Sequence, residues 1–171
     1  ESQRDASLEE LKTYLRFPSV STDPEFAGEV GRCAEYVAGR LREAGFPFTL
    51  FVSTNPIDGG VHGMMTWDEI RELANAGVTI GHHGASHAHM AQADSAANAA
   101  DIDKATARFR EELGRAPELF AYPYGEFSRA LADQVAGAGF TAAFGQHSGV
   151  AHDREYLFGL PRFALNESYG D

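Results

Sequence analysis

The stretch of the chain that decides its fold is Ile80-Gly81-His82-His83-Gly84-Ala85-Ser86-His87-Ala88-His89-Met90, which holds four of the seven histidines. It overlaps the short apolar run Val78-Thr79-Ile80, which predicts a β-strand. Neutral imidazole is the commonest protein ligand for zinc and similar divalent metals. Ligands just past the end of a parallel strand lie where α/β proteins usually build their sites. The stretch therefore predicts a metal site of the hydrolase kind in an α/β fold.

The composition bounds the class of protein. The 171 residues predict a single domain with a core, and the net charge of -11 argues against a nucleic-acid or anionic-membrane partner. No apolar stretch approaches the length of a membrane span, and the polar start Glu1-Ser2-Gln3-Arg4-Asp5 does not resemble a signal peptide. We expect a soluble protein with a small-molecule substrate. Its localisation is left open, with the cytoplasm as the default.

The pattern of elements predicts a parallel sheet. A capping box at Ser7-Leu8-Glu9-Glu10 opens a first helix, and a second is predicted from about residue 25 to residue 44. From residue 46 onward strands alternate with helices, which implies parallel strands joined by right-handed crossovers. Residues 55–63, with a proline and three glycines, predict a loop. The predicted strands cover residues 48–52, 78–80, 119–122, 140–144 and 160–165, and the predicted helices cover residues 66–77, 95–113 and 127–138.

Three groups of residues are candidates for chemistry. His83 and His87 are four apart, so on a turn or short helix they would face the same way and could chelate one metal, the alternative being a solvated histidine loop. Tyr124, in Phe120-Ala121-Tyr122-Pro123-Tyr124-Gly125, lies at a second strand end, where backbone N–H groups and hydroxyls could stabilise an oxyanion. The alternative there is a turn of packed aromatic side chains. His147 follows another strand and could be a general acid or a ligand.

From about residue 46 to the C-terminus the chain resembles the polysaccharide deacetylases of the NodB homology group, carbohydrate esterase family 4. The resemblance implies a distorted, incomplete (β/α) barrel, with His83 and His87 as metal ligands from a His-x-x-Ser-His motif. It also implies hydrolysis of N-acetyl groups on sugars by a metal-bound water. The family's Thr-Phe-Asp-Asp-Gly motif, which ends its first strand, is absent here, and Ala121 stands where the family commonly has an arginine. The matching pieces are Thr49-Leu50-Phe51-Val52, Thr66-Trp67-Asp68-Glu69-Ile70, His83-Gly84-Ala85-Ser86-His87, residues 120–125 and Leu160-Pro161-Arg162-Phe163.

The first 45 residues instead resemble the N-terminal helices of the zinc aminoacylase and carnosine-dipeptidase family, through Leu8-Glu9-Glu10-Leu11, residues 17–24 and residues 34–46. The two resemblances together predict a chimera with its junction near residues 41–46. The predicted fold is thus an α/β protein whose N-terminal two-helix segment replaces the first β-α unit, leaving a partial barrel-like sheet at 46–165 and a tail at 166–171. The replacement would expose the edge of the strand at 48–52, so we expect a homodimer through that edge or the helical segment.

Because the family's aspartates are absent, the predicted metal site lacks one of its usual ligands. Catalytic zinc usually has three protein ligands, so a third is needed beside His83 and His87. We prefer His82 or His147, and zinc as the metal, with cobalt or nickel as alternatives. The other candidates for that third position are His62, His89, Asp58, Asp94 and a residue of a partner chain.

A metal-bound hydroxide without the family base would favour activated esters or phosphoesters such as phosphotriesters. The first alternative is a carbohydrate N-deacetylase with a substitute carboxylate, for which Asp23, Asp58 and Asp68 are candidates. The second alternative is a non-catalytic metal-binding chimera.

Overall fold

A computed structural model describes residues 36–41, 43–151 and 156–162. These residues belong to two compact units, one formed by the chain up to residue 49 and by residues 56–79, the other by residues 50–55 and 80–171. Residues 36–41 and 43 are helical, in keeping with the end of the predicted second helix. The rest of the N-terminal two-helix segment lies outside the described residues, and the single-domain prediction stays a prediction.

The second unit is built on a four-stranded sheet. Its strands are β1 (Thr49–Val52), β2 (Thr79–His82), β3 (Leu119–Ala121) and β4 (Ala142–Phe144), arranged in the order β1-β2-β3-β4. His82 pairs with Phe120, which pairs in turn with Ala143. Neighbouring strands are parallel and follow one another in chain order, which is how a (β/α) barrel is wound. The prediction of an α/β fold with a partial barrel-like parallel sheet is confirmed. Of the strand predicted at residues 160–165, only residues 160–162 are described, and Leu160 forms a bridge with Phe144.

Four helices accompany the strands: α1 (Thr54–Asp58), α2 (Trp67–Asn75), α3 (Ser95–Leu113) and α4 (Arg129–Gly137). The side chains of Asp94 and Ser128 accept N–H groups of the first turns of α3 and α4, which fixes where these helices begin. Helix α1 occupies part of residues 55–63, where the sequence predicts a loop. Pro56 does not prevent the helix, because proline is tolerated in the first turn. In the described part of the chain, no helix has the length and apolar character needed to cross a membrane.

The core of the second unit lies between the strands β3 and β4 and the helices α3 and α4. Phe120 and Tyr122, both fully buried, lie at its centre, and the aromatic rings of Phe120 and Phe140 are 5.1 Å apart. His82, at the end of β2, is also fully buried, with its ring 5.3 Å from that of Phe120 and 5.0 Å from that of Phe140. The next residue along the chain leaves the core, and the candidate site begins there.

Candidate metal centre

His83 is held at the mouth of the sheet by its neighbours. Its backbone N–H donates to the carbonyl of Val52 over 3.0 Å, and its ring Nδ1 lies 2.6 Å from the carbonyl oxygen of Ala121. Because a carbonyl oxygen only accepts, Nδ1 carries the ring proton and Nε2 keeps its lone pair for a metal. Burial lowers the pKa of His83 to about 4, so its imidazole is neutral at pH 7, as a metal ligand has to be.

His87 completes a pair with His83. The two ring centroids are 4.8 Å apart and the ring planes meet at 70°. Burial also lowers the pKa of His87. Both rings line one cavity of about 410 Å³. The predicted pair of imidazoles on one side of a turn is therefore what the geometry shows, whereas ligation of a metal by them stays a prediction.

The loop that carries the pair is clamped by Asp101 from helix α3. The Asp101 carboxylate accepts the backbone N–H of Ala85 over 2.7 Å, the N–H of Ser86 over 3.0 Å and the Ser86 hydroxyl over 2.5 Å. Gly84 has φ 74°, and a Cβ at that position would lie 2.6 Å from Asp101 Oδ2. The serine of the His-x-x-Ser-His motif thus works as an anchor for the loop. Sequence reasoning missed Asp101, although a hydroxyl between two candidate ligands indicates that an acceptor is needed.

Two residues that line the cavity have a strained backbone. Of the residues other than glycine in the described segments, only His87 (φ 53°) and Tyr124 (φ 57°) have positive φ, and both line the cavity. The left-handed conformation costs a non-glycine residue free energy, and such costs persist mainly at functional sites. The ring of Tyr124 lies 4.6 Å from that of His87 and stacks on that of His89 at 3.8 Å. His89 Nδ1 is 3.2 Å from Glu126 Oε2, which anchors the stack.

The remaining lining comes from the strand ends β3 and β4 and from the segment that follows them. Tyr122 donates its hydroxyl proton to the carbonyl of Phe158 over 2.9 Å, and burial raises the pKa of that hydroxyl far above its usual value. Gly125 and Gln146 are in close contact, since a Cβ on Gly125 would lie 2.1 Å from the Cβ of Gln146. Arg162 brings the one charged group of this lining.

The structure does not bring two of the predicted residues to the cavity. His82 Nδ1 accepts the N–H of Gly84 over 3.1 Å, and its Nε2 lies 3.3 Å from the carbonyl oxygen of Ile102. Both ring nitrogens therefore interact with backbone groups inside the core, and neither is left with a lone pair for a metal at the cavity. His147 is exposed, its ring lies 6.0 Å from that of Phe127, and it is not among the lining residues.

The other third-ligand candidates have structural roles of their own. Asp94 accepts the N–H of Ala97 as the cap of α3, and Asp58 accepts the indole N–H of Trp67 over 2.8 Å. Asp68, a candidate for the substitute carboxylate, pairs with Arg71. Within residues 36–41, 43–151 and 156–162, no group of three or more histidine, cysteine, aspartate or glutamate side chains could hold a metal ion. Two neutral imidazoles fit a divalent metal, but they are one ligand short of the usual catalytic set. Asp23 lies outside the described residues.

Comparison with known proteins shows which family and which solved structures the chain resembles. The family description "Polysaccharide deacetylase" matches residues 27–143, which begins upstream of the junction predicted near residues 41–46. No curated protein matches the chain. Among solved structures, the Streptococcus pyogenes deacetylase PplD in complex with acetate has 18% identity and a TM-score of 0.72, covering 77% of this chain and 58% of its own.

Two further structures share the fold. IcaB from Ammonifex degensii has 23% identity and a TM-score of 0.67, covering 78% of this chain and 63% of its own. A putative polysaccharide deacetylase from Mycobacterium smegmatis has 24% identity and a TM-score of 0.59, covering 85% of this chain and 54% of its own. The chain thus spans between 54% and 63% of the length of these three proteins. With the family match extending over more than half of its residues, the chain belongs to the polysaccharide deacetylase family, whose members are hydrolytic enzymes that in general depend on a metal.

Proposed function

We propose that the chain is a divalent-metal-dependent deacetylase that removes acetyl groups from N-acetylated carbohydrate. The observation that carries this proposal is the pair His83 and His87, two neutral imidazoles 4.8 Å apart at one cavity. The prediction of activated esters or phosphoesters is not supported by the comparisons. The family match favours the alternative, the N-deacetylase.

The protein's part in metal binding falls to His83, His87 and their supports. Ala121 fixes the His83 ring through its carbonyl, which selects the tautomer with Nε2 unprotonated, and Asp101 holds the loop between the two histidines. A divalent metal bound there would supply Lewis acidity, activating water and polarising the acetyl carbonyl. Zinc suits nitrogen donors and remains our first choice, with cobalt and nickel as alternatives.

Tyr124 is our proposed oxyanion-stabilising residue. Its ring lies 4.6 Å from that of His87, and it belongs to the turn Pro123–Gly125, of which Tyr124 and Gly125 line the cavity. An acetyl group bound beside the histidines would contact this turn, where a preorganised backbone N–H or hydroxyl stabilises developing negative charge. His147, predicted as a general acid, does not line the cavity, and we assign it no role.

The experiment that tests the proposal combines metal content with turnover. Metal-free protein is reloaded with zinc, cobalt or nickel, and acetate release from N-acetylated chito-oligomers is measured beside hydrolysis of an activated ester and of a phosphotriester. Near one metal per chain with acetate release would support the proposal, and His83→Ala and His87→Ala should abolish both. The matched control is His62→Ala, which removes an exposed loop histidine.

The alternatives have their own signatures in that experiment. A loaded protein that hydrolyses only the ester or the phosphotriester would return the function to the first prediction. A protein that binds a metal but hydrolyses none of the three substrates would be the non-catalytic metal-binding chimera, and a protein that takes up no metal would contradict the proposal.

Two further proposals concern assembly and origin. Strand β1 ends the sheet, and no strand in the part that the structure describes pairs with its outer side. An open edge invites pairing with another chain, so we propose a homodimer through β1 or the helical segment. A monomer mass in light scattering at micromolar concentration would contradict it. We likewise keep the aminoacylase-like origin of residues 1–45 as a proposal.

A further inference from the structure

The segment that follows the 3₁₀ turn Leu157–Gly159 carries one arginine, Arg162, to the cavity. Leu160 N–H donates to the carbonyl of Ala143 and Gly145 N–H donates to that of Leu160, each over 2.9 Å, so the segment runs along β4. Arg162 N–H then donates to the carbonyl of His147 over 3.0 Å. These backbone bonds fix where the side chain of Arg162 starts.

The guanidinium of Arg162 is itself oriented. Its Nε donates to the carbonyl of Gly145 over 2.7 Å, and its carbon lies 5.8 Å from the centre of the Phe51 ring. The side chain is partly buried and lines the cavity together with His83 and His87. One of the five N–H donors of a guanidinium is thus used by a carbonyl, and no described residue accepts from the terminal Nη atoms.

Among the described residues no carboxylate compensates the charge of Arg162, in contrast to four other arginines. Each of those four pairs with a glutamate or aspartate three or four residues away along its own helix, and they are Arg40, Arg71, Arg108 and Arg129. In the described part of the chain no carboxylate pairs with Arg162, and the cavity lining contains none. A partly buried cation is costly unless an anion or acceptor satisfies it. The cavity is therefore an electropositive spot on a chain of net charge -11.

Arg162 shares the cavity with the histidine pair, so a ligand that fills the cavity lies beside all three side chains. The positive charge of Arg162 also contributes to the lowered pKa of His83, after the larger effects of burial and of His87. Planar guanidinium groups bind carboxylates through two parallel N–H donors, which gives both strength and orientation.

We propose that Arg162 is a carboxylate-binding residue of this cavity and that its Nη donors receive an anionic group of the ligand beside His83 and His87. The carboxylate has two sources, the acetate released by the deacetylation or an acidic substituent of the sugar, such as a uronate. The first source rests on the proposed function, whereas carboxylate binding itself does not. Arg162 would make acidic N-acetylated glycans better substrates, or acetate a product inhibitor.

The test measures binding without turnover. Metal-free protein is titrated with sodium acetate and, separately, with acetamide, its neutral counterpart of similar shape, and methyl saturation transfer is followed by NMR. We expect Arg162→Gln to weaken acetate binding at least tenfold and to leave acetamide binding unchanged. Arg162→Lys should fall between, because an ammonium is a point charge without the planar fork. Arg71→Gln is the matched control, since it removes an arginine that pairs with Asp68 on α2.

A second pair of titrations separates the two sources. Glucuronate and glucose are compared in the same way, and glucuronate binding that exceeds acetate binding and depends on Arg162 assigns the residue to the substrate. A response confined to acetate assigns it to the product. Equal carboxylate binding by the wild type and Arg162→Gln, with both melting at the same temperature, would overturn the inference. An active deacetylase with that result would leave the proposed function standing, because the binding test uses no turnover.

Discussion

His82 and His83 are neighbours in the chain, and burial lowers the pKa of both, but their surroundings differ. Burial lowers the pKa of each to about 4, so both are neutral at pH 7. His82 is the last residue of β2 and turns into the core, where backbone groups engage both of its ring nitrogens. His83 turns to the cavity, where the described residues engage only its Nδ1. A neutral buried histidine is thus no evidence of a ligand, and the nitrogen left with a lone pair is what distinguishes the two.

The largest predicted effect is on zinc affinity, and it should distinguish substitution of His83 from substitution of His82. His83→Ala should lower zinc affinity more than about 100-fold and abolish turnover, because removing a ligand costs more than removing its hydrogen-bond partner. His82→Leu should change zinc affinity only a few-fold. Isothermal titration of chelator-treated protein with zinc measures both. Equal losses in the two variants would remove the distinction drawn between them.

Asp101 offers the next largest effect, because it acts on the same loop without reaching the metal. Asp101→Asn keeps the size of the side chain but replaces one carboxylate oxygen by a donor that faces the N–H groups of Ala85 or Ser86. We expect about 10- to 100-fold weaker zinc binding, the usual cost of losing an outer-shell partner. Asp103→Asn, an exposed position on the same helix, is the control. Unchanged zinc affinity in Asp101→Asn would show that the loop is held by other contacts.

His82 should matter for stability. His82→Leu fills the same space but leaves the buried N–H of Gly84 without its acceptor, at a cost of about 2 kcal/mol in the free energy of unfolding. Urea unfolding of the metal-free protein measures it. A variant as stable as the wild type would mean that the core does not need the Gly84 bond.

The pH dependence of stability sharpens the same comparison. Burial lowers the pKa of folded His82 from its ordinary value of 6.5 to about 4, so between these pH values the unfolded chain binds more protons than the folded one. Protonation therefore favours the unfolded chain, and the free energy of unfolding should fall as the pH drops through this window. In metal-free His82→Leu the fall should be shallower, while His83 still contributes its share. Parallel urea-unfolding curves from pH 7 to pH 4 would reveal the difference, and identical slopes would contradict it.

Much of this arrangement follows from local sequence signals, and the rest depends on contacts between distant residues. Helix α3 occupies the predicted residues 95–113 because Asp94 caps its start and Gly114, with φ 71°, ends it. The spacing of His83 and His87 likewise predicts a pair on one side of a turn. Which of two adjacent histidines enters the core depends instead on where β2 stops. Asp101 and Arg162 reach the site from elements 15 or more residues away, so no local pattern could assign them.

The smallest effect we predict separates backbone strain from the clamp itself. Gly77 and Gly84 both have positive φ, 89° and 74°, but a Cβ at Gly77 would meet nothing within 4 Å, whereas one at Gly84 would lie 2.6 Å from Asp101 Oδ2. Each alanine substitution should cost about 1 kcal/mol in unfolding free energy for its left-handed backbone. Only Gly84→Ala should also push Asp101 from the loop and weaken zinc binding several-fold. If Gly77→Ala weakened zinc binding as much, the loss would come from general destabilisation, and the clamp would not be what keeps His83 and His87 in place.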